Sequence, residues 1–256
     1  MKLLIICMSL LSMIWAMPVG VEENDIYTLE KKSVAIITKI EGKAKILSKD
    51  SIKKHKALLG EALFEGDKLI TYNKTRVFVT LDDSSKLILN ESSELSFVNN
   101  AYLKHHSGEI YYKIKTRKAS KGLRVETPFS IMGIKGTEFI VDANGKGQIA
   151  LNEGLVGIGS LDENFELHKK RVIEEYEKFK NEQNTAFEAY KAELRGEIIT
   201  YVKSFDLVSG KVLNFSEADE CKERCGSKVQ EVDMSEELRK RFDLYDKMLK
   251  EIQENQ

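Results

Sequence analysis

Cys221 and Cys225 are the residues whose type and spacing point most directly to chemistry. In a helix, the Cα atoms of residues four apart lie about 6 Å from one another, which is within the range that a disulfide bond spans. A looser turn would also bring the two sulfur atoms together. We therefore predict a local disulfide between Cys221 and Cys225. Intermolecular bridging and a metal site are the alternatives, and the metal site lacks a nearby histidine.

Other motifs match catalytic or metal-binding patterns only in part. The segment from Asp142 to Glu153 carries acidic and amide residues at several positions of a calcium loop, but Lys146 stands at a ligand position, so we interpret it as a hairpin turn. Ser51–Lys54 matches a Ser-x-x-Lys acylation motif without its partner motifs. His105 and His106 precede a glycine turn, and we expect both imidazoles at the surface.

Composition and the remaining motifs narrow the class of protein. The 256 residues are 42% apolar and 32% charged, with a net charge of -1, which is enough apolar material for a core. Near-neutrality argues against nucleic acid as a partner, because binding to phosphates requires a basic surface. The sequence contains no Gly-x-Ser-x-Gly motif, phosphate loop or paired metal-ligand motif. We predict a protein that is not an enzyme and has no cofactor and no metal.

The N-terminal residues predict export. Met1 and Lys2 precede an apolar run, Leu3 to Trp15, that is interrupted only by two serines. As a helix this run would rise about 20 Å, which is too short for a hydrocarbon core of about 30 Å. With Ala16 as a small residue for cleavage, we predict a signal peptide over residues 1–20, and an uncleaved anchor is the alternative. The mature chain is then periplasmic or secreted, without stable membrane insertion, and disulfides are available to it.

The first half of the mature chain has the pattern of an all-β domain. Short segments rich in β-branched residues recur at intervals of about 8–12 residues, separated by Asp, Asn, Gly or Ser. No helical crossover separates them, which argues against a doubly wound sheet. The predicted strands are 33–40, 43–47, 69–71, 76–81, 86–89, 95–98, 109–114, 123–126, 138–141, 148–151 and 155–158.

Motifs in this half resemble the FecR-type periplasmic domain family. They are Leu59-Gly60 followed by 66–71, then 76–87, Val125-Glu126-Thr127-Pro128-Phe129, 133–141 and 151–156. The resemblance covers residues 33–160 and implies a β-solenoid-like domain in which successive turns bury a shared core. Gly133 and Gly136 would permit positive φ or close strand approach, and Phe139 and Val141 would share one strand face. Full-length regulators of the family carry a cytoplasmic anti-sigma segment and a membrane span before this domain. Here only 32 residues precede Ser33, and most of them belong to the predicted signal peptide, so we expect a free module.

The second half, residues 161–256, has helical spacing and opposite charge. Residues 33–160 carry 20 Lys+Arg and 14 Asp+Glu, whereas residues 161–256 carry 17 and 23, balances of +6 and -6. Apolar residues from 165 to 194 predict an amphipathic helix, and those from Leu238 to Ile252 predict a second helix that begins at Ser235. Ser209-Gly210 predicts a small β-hairpin near 205–215. The helices would dock on the β domain or on each other, and a coiled-coil homodimer through this tail is the alternative.

The residues and the resemblance together favour an exported, non-enzymatic interaction module of the bacterial envelope. Its partner would be an envelope protein or a surface polymer, bound by exposed sheet edges or by a basic face. The alternative is a periplasmic regulatory subunit that relays a signal to a separate membrane or anti-sigma partner.

Overall fold

The computed structural model describes residues 32–116, 122–161, 164–170, 197–216 and 225–254. These residues form a mainly β structure of two large sheets and one helix. The eleven-stranded sheet contains β1 (Ser33–Glu41), β4 (Ala62–Phe64), β6 (Arg76–Leu81), β7 (Lys86–Leu89), β10 (Glu109–Lys113), β13 (Glu138–Asp142), β14 (Gln148–Glu153), β16 (Asn164–Lys170), β17 (Glu197–Val202), β19 (Lys211–Ser216) and β20 (Cys225–Asp233). The nine-stranded sheet contains β2 (Ala44–Leu47), β3 (His55–Lys56), β5 (Lys68–Thr71), β8 (Glu94–Asn99), β9 (Tyr102–Ser107), β11 (Leu123–Glu126), β12 (Ile131–Ile134), β15 (Leu155–Gly159) and β18 (Ser204–Val208).

The chain builds both sheets at once by alternating between them. After β6 and β7 in the larger sheet come β8 and β9 in the smaller one, then β10, and the pattern continues to β19. The order of the larger sheet is β17-β16-β20-β19-β14-β13-β10-β7-β6-β1-β4, and that of the smaller is β18-β15-β12-β11-β9-β8-β5-β2-β3. The inward side chains of both sheets, among them Phe97, Tyr112 and Phe139, form one continuous core.

The predicted mainly β character is confirmed, but the β-solenoid arrangement is not. In a solenoid, successive turns stack as parallel strands. Here neighbouring strands are antiparallel except in two pairs, β9–β11 and β16–β20. The strand face predicted for Phe139 and Val141 is correct, since both are fully buried in the core. Gly136 has the positive φ that was expected, at 66°, whereas Gly133 does not lie in the left-handed region.

Strands continue the two sheets beyond residue 160, where the sequence predicted helix. Phe165, assigned to the face of a long helix, lies instead in β16, where Phe165 and Leu167 are both buried at a period of two. The rest of that predicted helix, residues 171–196, lies outside the described residues. The hairpin near 205–215 was predicted at the right place with the wrong pairing. β18 pairs with β15 and β19 pairs with β14, so Gly210 turns the chain from one sheet to the other.

The second predicted helix is confirmed as α1, Glu236–Glu254. Ser235 caps it, because its Oγ accepts a hydrogen bond from the Leu238 N–H at 3.3 Å. Its apolar face lies on the outer surface of the larger sheet. The strand residues beneath it share one register row across six neighbouring strands: Phe78, Ile88, Tyr111, Ile140, Ala150 and Val212. This row measures about 24 Å, and a 19-residue helix is about 28 Å long, so the two match in length.

Polar contacts on both sides hold α1 in this position. On one side, Asp246 accepts hydrogen bonds from Lys113 at 2.5 Å and from the Tyr111 hydroxyl at 2.8 Å. On the other side, the Tyr245 hydroxyl donates to Glu109 at 2.6 Å, and Arg241 forms an ion pair with the same carboxylate. The helix therefore covers the outer face of the larger sheet through both apolar and charged contacts.

Candidate interaction surface

The outer face of the smaller sheet, which we call the open face, carries no covering element among the described residues. Along β9 and β11, the buried residues Leu103 and Val125 alternate with outward residues such as Lys104 and Arg124. This period of two places every second side chain of the sheet on the open face. α1 lies on the outer side of the larger sheet, whereas no described element lies on the open face, so the open face is accessible to a partner.

Ion pairs between neighbouring strands fix the centre of the open face. Lys68 and Glu94 lie 2.5 Å apart, and Lys104 and Glu126 lie 2.7 Å apart. The hydrogen bond from Lys104, together with one from the Tyr102 hydroxyl, lowers the pKa of Glu126 below its usual range. Because these carboxylates are already paired, the centre of the open face presents little unbalanced charge.

A trough crosses four strands at one end of the open face. Arg124, Gly133, Gly157 and Asp206 are register partners on β11, β12, β15 and β18. The glycines leave the floor bare, and the depression has a volume of about 450 Å³. Strands are about 4.8 Å apart, so the Cα atoms of Arg124 and Asp206 are separated by about 14 Å. The trough thus has a guanidinium at one end and a carboxylate at the other.

Neither backbone conformation nor packing requires glycine at the floor of the trough. Gly133 and Gly157 do not have left-handed φ, and the pairings of β12 with its neighbours run without a bulge. A Cβ at Gly133 would meet nothing within 4 Å, and one at Gly157 would meet Asp206 Oδ1 at an ordinary 3.6 Å. Glycine inside a strand costs about 0.5–1 kcal/mol relative to alanine. Close approach of another molecule is a further reason for glycine at such positions.

The opposite end of the smaller sheet is strongly basic. We call the six lysines of β2, β3 and their flanks the basic edge: Lys43, Lys45, Lys49, Lys53, Lys54 and Lys56. All six are exposed, and none forms an ion pair with any residue in the described ranges. Lys45 and Lys56 are direct partners across the β2–β3 pair, and the Lys45 ammonium lies 5.8 Å from the centre of the Tyr72 ring. The basic face expected from the sequence therefore coincides with a sheet edge.

The sequence-predicted motif residues have ordinary structural roles where they are described. The segment from Asp142 to Glu153 is the turn between β13 and β14, as predicted, with the Asn144 N–H donating to Asp142 Oδ1 at 2.9 Å. Ser51 Oγ accepts a hydrogen bond from the Lys53 N–H at 3.1 Å. Cys221 and the side chain of Cys225 lie outside the described residues, so their disulfide stays a prediction.

His105 differs from the sequence prediction, because it is fully buried rather than at the surface. It lies on β9, with Nδ1 at 3.2 Å from the Tyr112 hydroxyl and Nε2 at 3.0 Å from the Ser107 carbonyl oxygen. Burial lowers its pKa from 6.5 to about 4. His106, one residue on, faces outward, and its Nε2 lies 2.9 Å from Ser96 Oγ. The alternation of β9 places His105 inward, like Leu103. The strand was not predicted from the sequence because most of its residues are polar.

The described ranges contain neither a cluster of metal ligands nor a membrane-spanning helix. Across the described ranges, His, Cys, Asp and Glu do not gather into any group of three that could hold a metal ion. No helix in those ranges has the length and apolarity needed to cross a membrane.

Comparison with solved structures finds distant similarity. Two crystal structures of a candidate anti-sigma factor from Parabacteroides distasonis resemble this chain with TM-scores of 0.43 and 0.42 and identities of 11% and 12%. In both cases the match covers 66% of this chain and 60% of the other. No curated protein sequence matches the chain.

Comparison with protein families gives a more direct result. Residues 67–157 match the family model described as FecR protein, which lies inside the region of sequence resemblance, 33–160. The matched segment runs from β5 to β15 and contains most of the open face, including Gly133 and Gly157. The basic edge precedes it. The similarity of this chain to the FecR protein family therefore lies in residues 67–157.

Proposed function

We propose that the chain is an exported, non-enzymatic binding module of the bacterial envelope, and that its partner binds on the open face. The observation that carries this proposal is the trough, where two glycines without a structural requirement lie between Arg124 and Asp206. Export rests on the predicted signal peptide over residues 1–20, and the FecR match supports a place in the envelope. The trough is shallow and open to water, which suits the binding of an extended partner better than chemistry that requires water to be excluded.

A valine at Gly133 tests the proposal. The added side chain would fill the trough without a clash, and a β-branched residue suits a strand, so stability should stay the same or rise by up to about 1 kcal/mol. The mature chain would be immobilised and incubated with separated envelope fractions of the source bacterium. We expect the amount of the captured component to be at least about tenfold lower on Gly133→Val than on the wild type.

Thr200→Val is the matched control, because it adds a valine at an exposed strand position on the other sheet. It should capture as much as the wild type. Equal capture by Gly133→Val and the wild type would contradict the proposal, and so would a loss of capture that parallels a loss of folding.

The relay function is a second candidate, which the FecR match favours because regulators carry this domain. The identity of the captured component separates the two. A membrane sensor or receptor, bound in a manner that Gly133→Val abolishes, would favour a relay. An envelope polymer would favour a binding or structural role.

A further inference from the structure

The basic edge carries the most exposed of the large apolar side chains in the described ranges. Ile52 is 97% exposed and lies in the loop between β2 and β3, directly before Lys53 and Lys54. The side chain of an isolated surface leucine or isoleucine is usually covered in part by its neighbours, so exposure of this extent leaves almost all of its apolar area in water. Leu58 and Leu59, just after β3, are also exposed, at 58% and 71%.

Hydrogen bonds give the loop between β2 and β3 a defined conformation, which holds Ile52 in its exposed position. The Lys49 N–H donates to Asp67 Oδ1 at 3.3 Å, and the Ser51 N–H donates to the Ser48 carbonyl at 3.0 Å. Ser51 Oγ also bonds to Lys53, on the far side of Ile52. These contacts hold the tip of the loop, where Ile52 directly precedes Lys53 and Lys54.

The charges around Ile52 are not balanced within the described structure. Residues 43–56 contain six lysines and a single acid, Asp50. Lys45 and Lys56 lie directly opposite each other, and like charges in that arrangement are unfavourable. An external anion placed against the edge would relieve this repulsion.

Protection of a sheet edge against aggregation is the simplest other reason for lysines on β3. Edge strands often carry lysine for that purpose, and they are often short, as β3 is. Such protection requires only charged residues on a short edge strand, however, and it does not account for the exposed Ile52. Lysines next to an exposed isoleucine are instead typical of a surface that contacts lipid, where the cations meet the headgroups and the apolar side chain enters the acyl boundary.

We propose that the basic edge docks on an anionic phospholipid surface, with Ile52 inserted between the headgroups and the six lysines against the lipid phosphates. This docking is peripheral and therefore consistent with a mature chain that does not insert stably. It uses the end of the smaller sheet opposite the trough, which leaves the trough free for another partner. It is independent of the function proposed for the open face.

Vesicle flotation tests the proposal. The protein is the chain from residue 21 onward, which contains the whole compact unit 32–256, because residues 3–15 are apolar and would bind lipid themselves. The vesicles are phosphatidylcholine alone, or phosphatidylcholine with roughly 30% phosphatidylglycerol. The anionic lipid gives the second set of vesicles a negative surface. We expect flotation only with the anionic vesicles, and its loss in 1 M salt, where the Debye length falls to about 3 Å.

Two variants separate the charge from the apolar contact. Each lysine near an anionic surface strengthens binding about fivefold, so Lys53→Glu/Lys54→Glu/Lys56→Glu should weaken partitioning by about 100-fold or more. Ile52→Asn should weaken it about tenfold, since one buried isoleucine is lost. The matched control, Lys135→Glu/Lys146→Glu/Lys240→Glu, makes the same change in net charge at exposed positions elsewhere and should float almost like the wild type. All substituted side chains are exposed, and circular dichroism checks the fold of each variant.

Several results would overturn the proposal. They are an absence of flotation with anionic vesicles at low salt, equal flotation with neutral vesicles, and an equal loss in the control triple variant. Flotation of Ile52→Asn at the wild-type level would also overturn it, and would identify the basic edge as a plain electrostatic site for polyanions.

Discussion

At the scale of single residues, buried His105 makes stability depend on pH. The unfolded chain takes up a proton on this imidazole near pH 6.5, whereas the folded protein resists protonation until about pH 4. The unfolded state therefore binds more protons in this window. The stabilisation is fully present above pH 6.5 and is lost as the pH falls toward 4, by about 3 kcal/mol in total.

Substitution of His105 checks that assignment. His105→Gln removes the titrating group, so the free energy of unfolding in urea should fall less between pH 7 and pH 4 than it does for the wild type. His55→Gln is the control, because His55 is exposed, with Glu61 as its partner at 2.8 Å. An unchanged pH dependence in His105→Gln would show that another group, such as the neighbouring His106, controls the transition.

A comparison of Gly108 with Gly145 separates the effect of backbone conformation on stability from the effect of packing. Both have positive φ, 83° and 57°, so alanine is strained at either position. A Cβ at Gly108 would also overlap the Cα and Oγ atoms of Ser93, whereas one at Gly145 would meet nothing within 4 Å.

We expect Gly145→Ala to lower the free energy of unfolding by about 1 kcal/mol and Gly108→Ala to lower it by at least about 2 kcal/mol more. Urea denaturation measures both values. Equal losses would mean that the turn at Gly108 relaxes away from Ser93 without cost.

At the scale of elements, α1 packs on the register row beneath it through its own buried side chains Phe242, Tyr245 and Leu249. Phe242 is 1% exposed, and its ring lies 6.1 Å from that of Tyr111 in an edge-on arrangement. Phe242→Ala should destabilise the protein by about 3–5 kcal/mol, as deletion of a buried phenylalanine usually does. Leu244→Ala, on the exposed side of the same helix, should change stability by less than about 0.5 kcal/mol. Chemical denaturation of both variants provides the comparison, and similar values for the two would contradict the observed orientation of α1.

The elements also show which features the sequence could predict. Strands bounded by turn residues, such as β6 and β7, were found because hydrophobic alternation and turn signals agree there. β9 was missed because its inward position 105 is a histidine. β16 was missed because Phe165 fits both a period of two and a period of 3.6, and pairing with β17 and β20 decides between them.

The two candidate sites differ in how far the sequence could predict them, because one is local in the sequence and the other depends on strand pairing. The basic edge follows from six lysines within residues 43–56, which are close together in the sequence. The trough could not be found in this way, because Arg124, Gly133, Gly157 and Asp206 become neighbours only through the register of four strands. Ser209-Gly210 signalled a turn correctly, but a turn does not encode which sheet the next strand will join.

At the scale of the whole molecule, residues beyond 160 complete the two sheets. β19 pairs with β14, β18 pairs with β15, and Phe215 packs against Phe129 with ring centres 4.3 Å apart. Removal of residues 161–256 would uncover the edges of β14 and β15 and part of the core. Removal of residues 234–256 would leave every described strand in place and uncover the row beneath α1.

We therefore propose that the FecR-like region and the C-terminal strands fold as one cooperative unit, and the two truncations test this. The chain 21–160 should aggregate or unfold without a cooperative transition, since paired strands are lost and two apolar edges are exposed. The chain 21–233 should keep its β-sheet circular dichroism but unfold at lower urea concentration than 21–256. Light scattering coupled to size exclusion would report the association state of each. A chain 21–160 that is monomeric and as stable as 21–256 would show instead that the domain boundary lies at residue 160, because the uncovered strands would then have contributed nothing to stability.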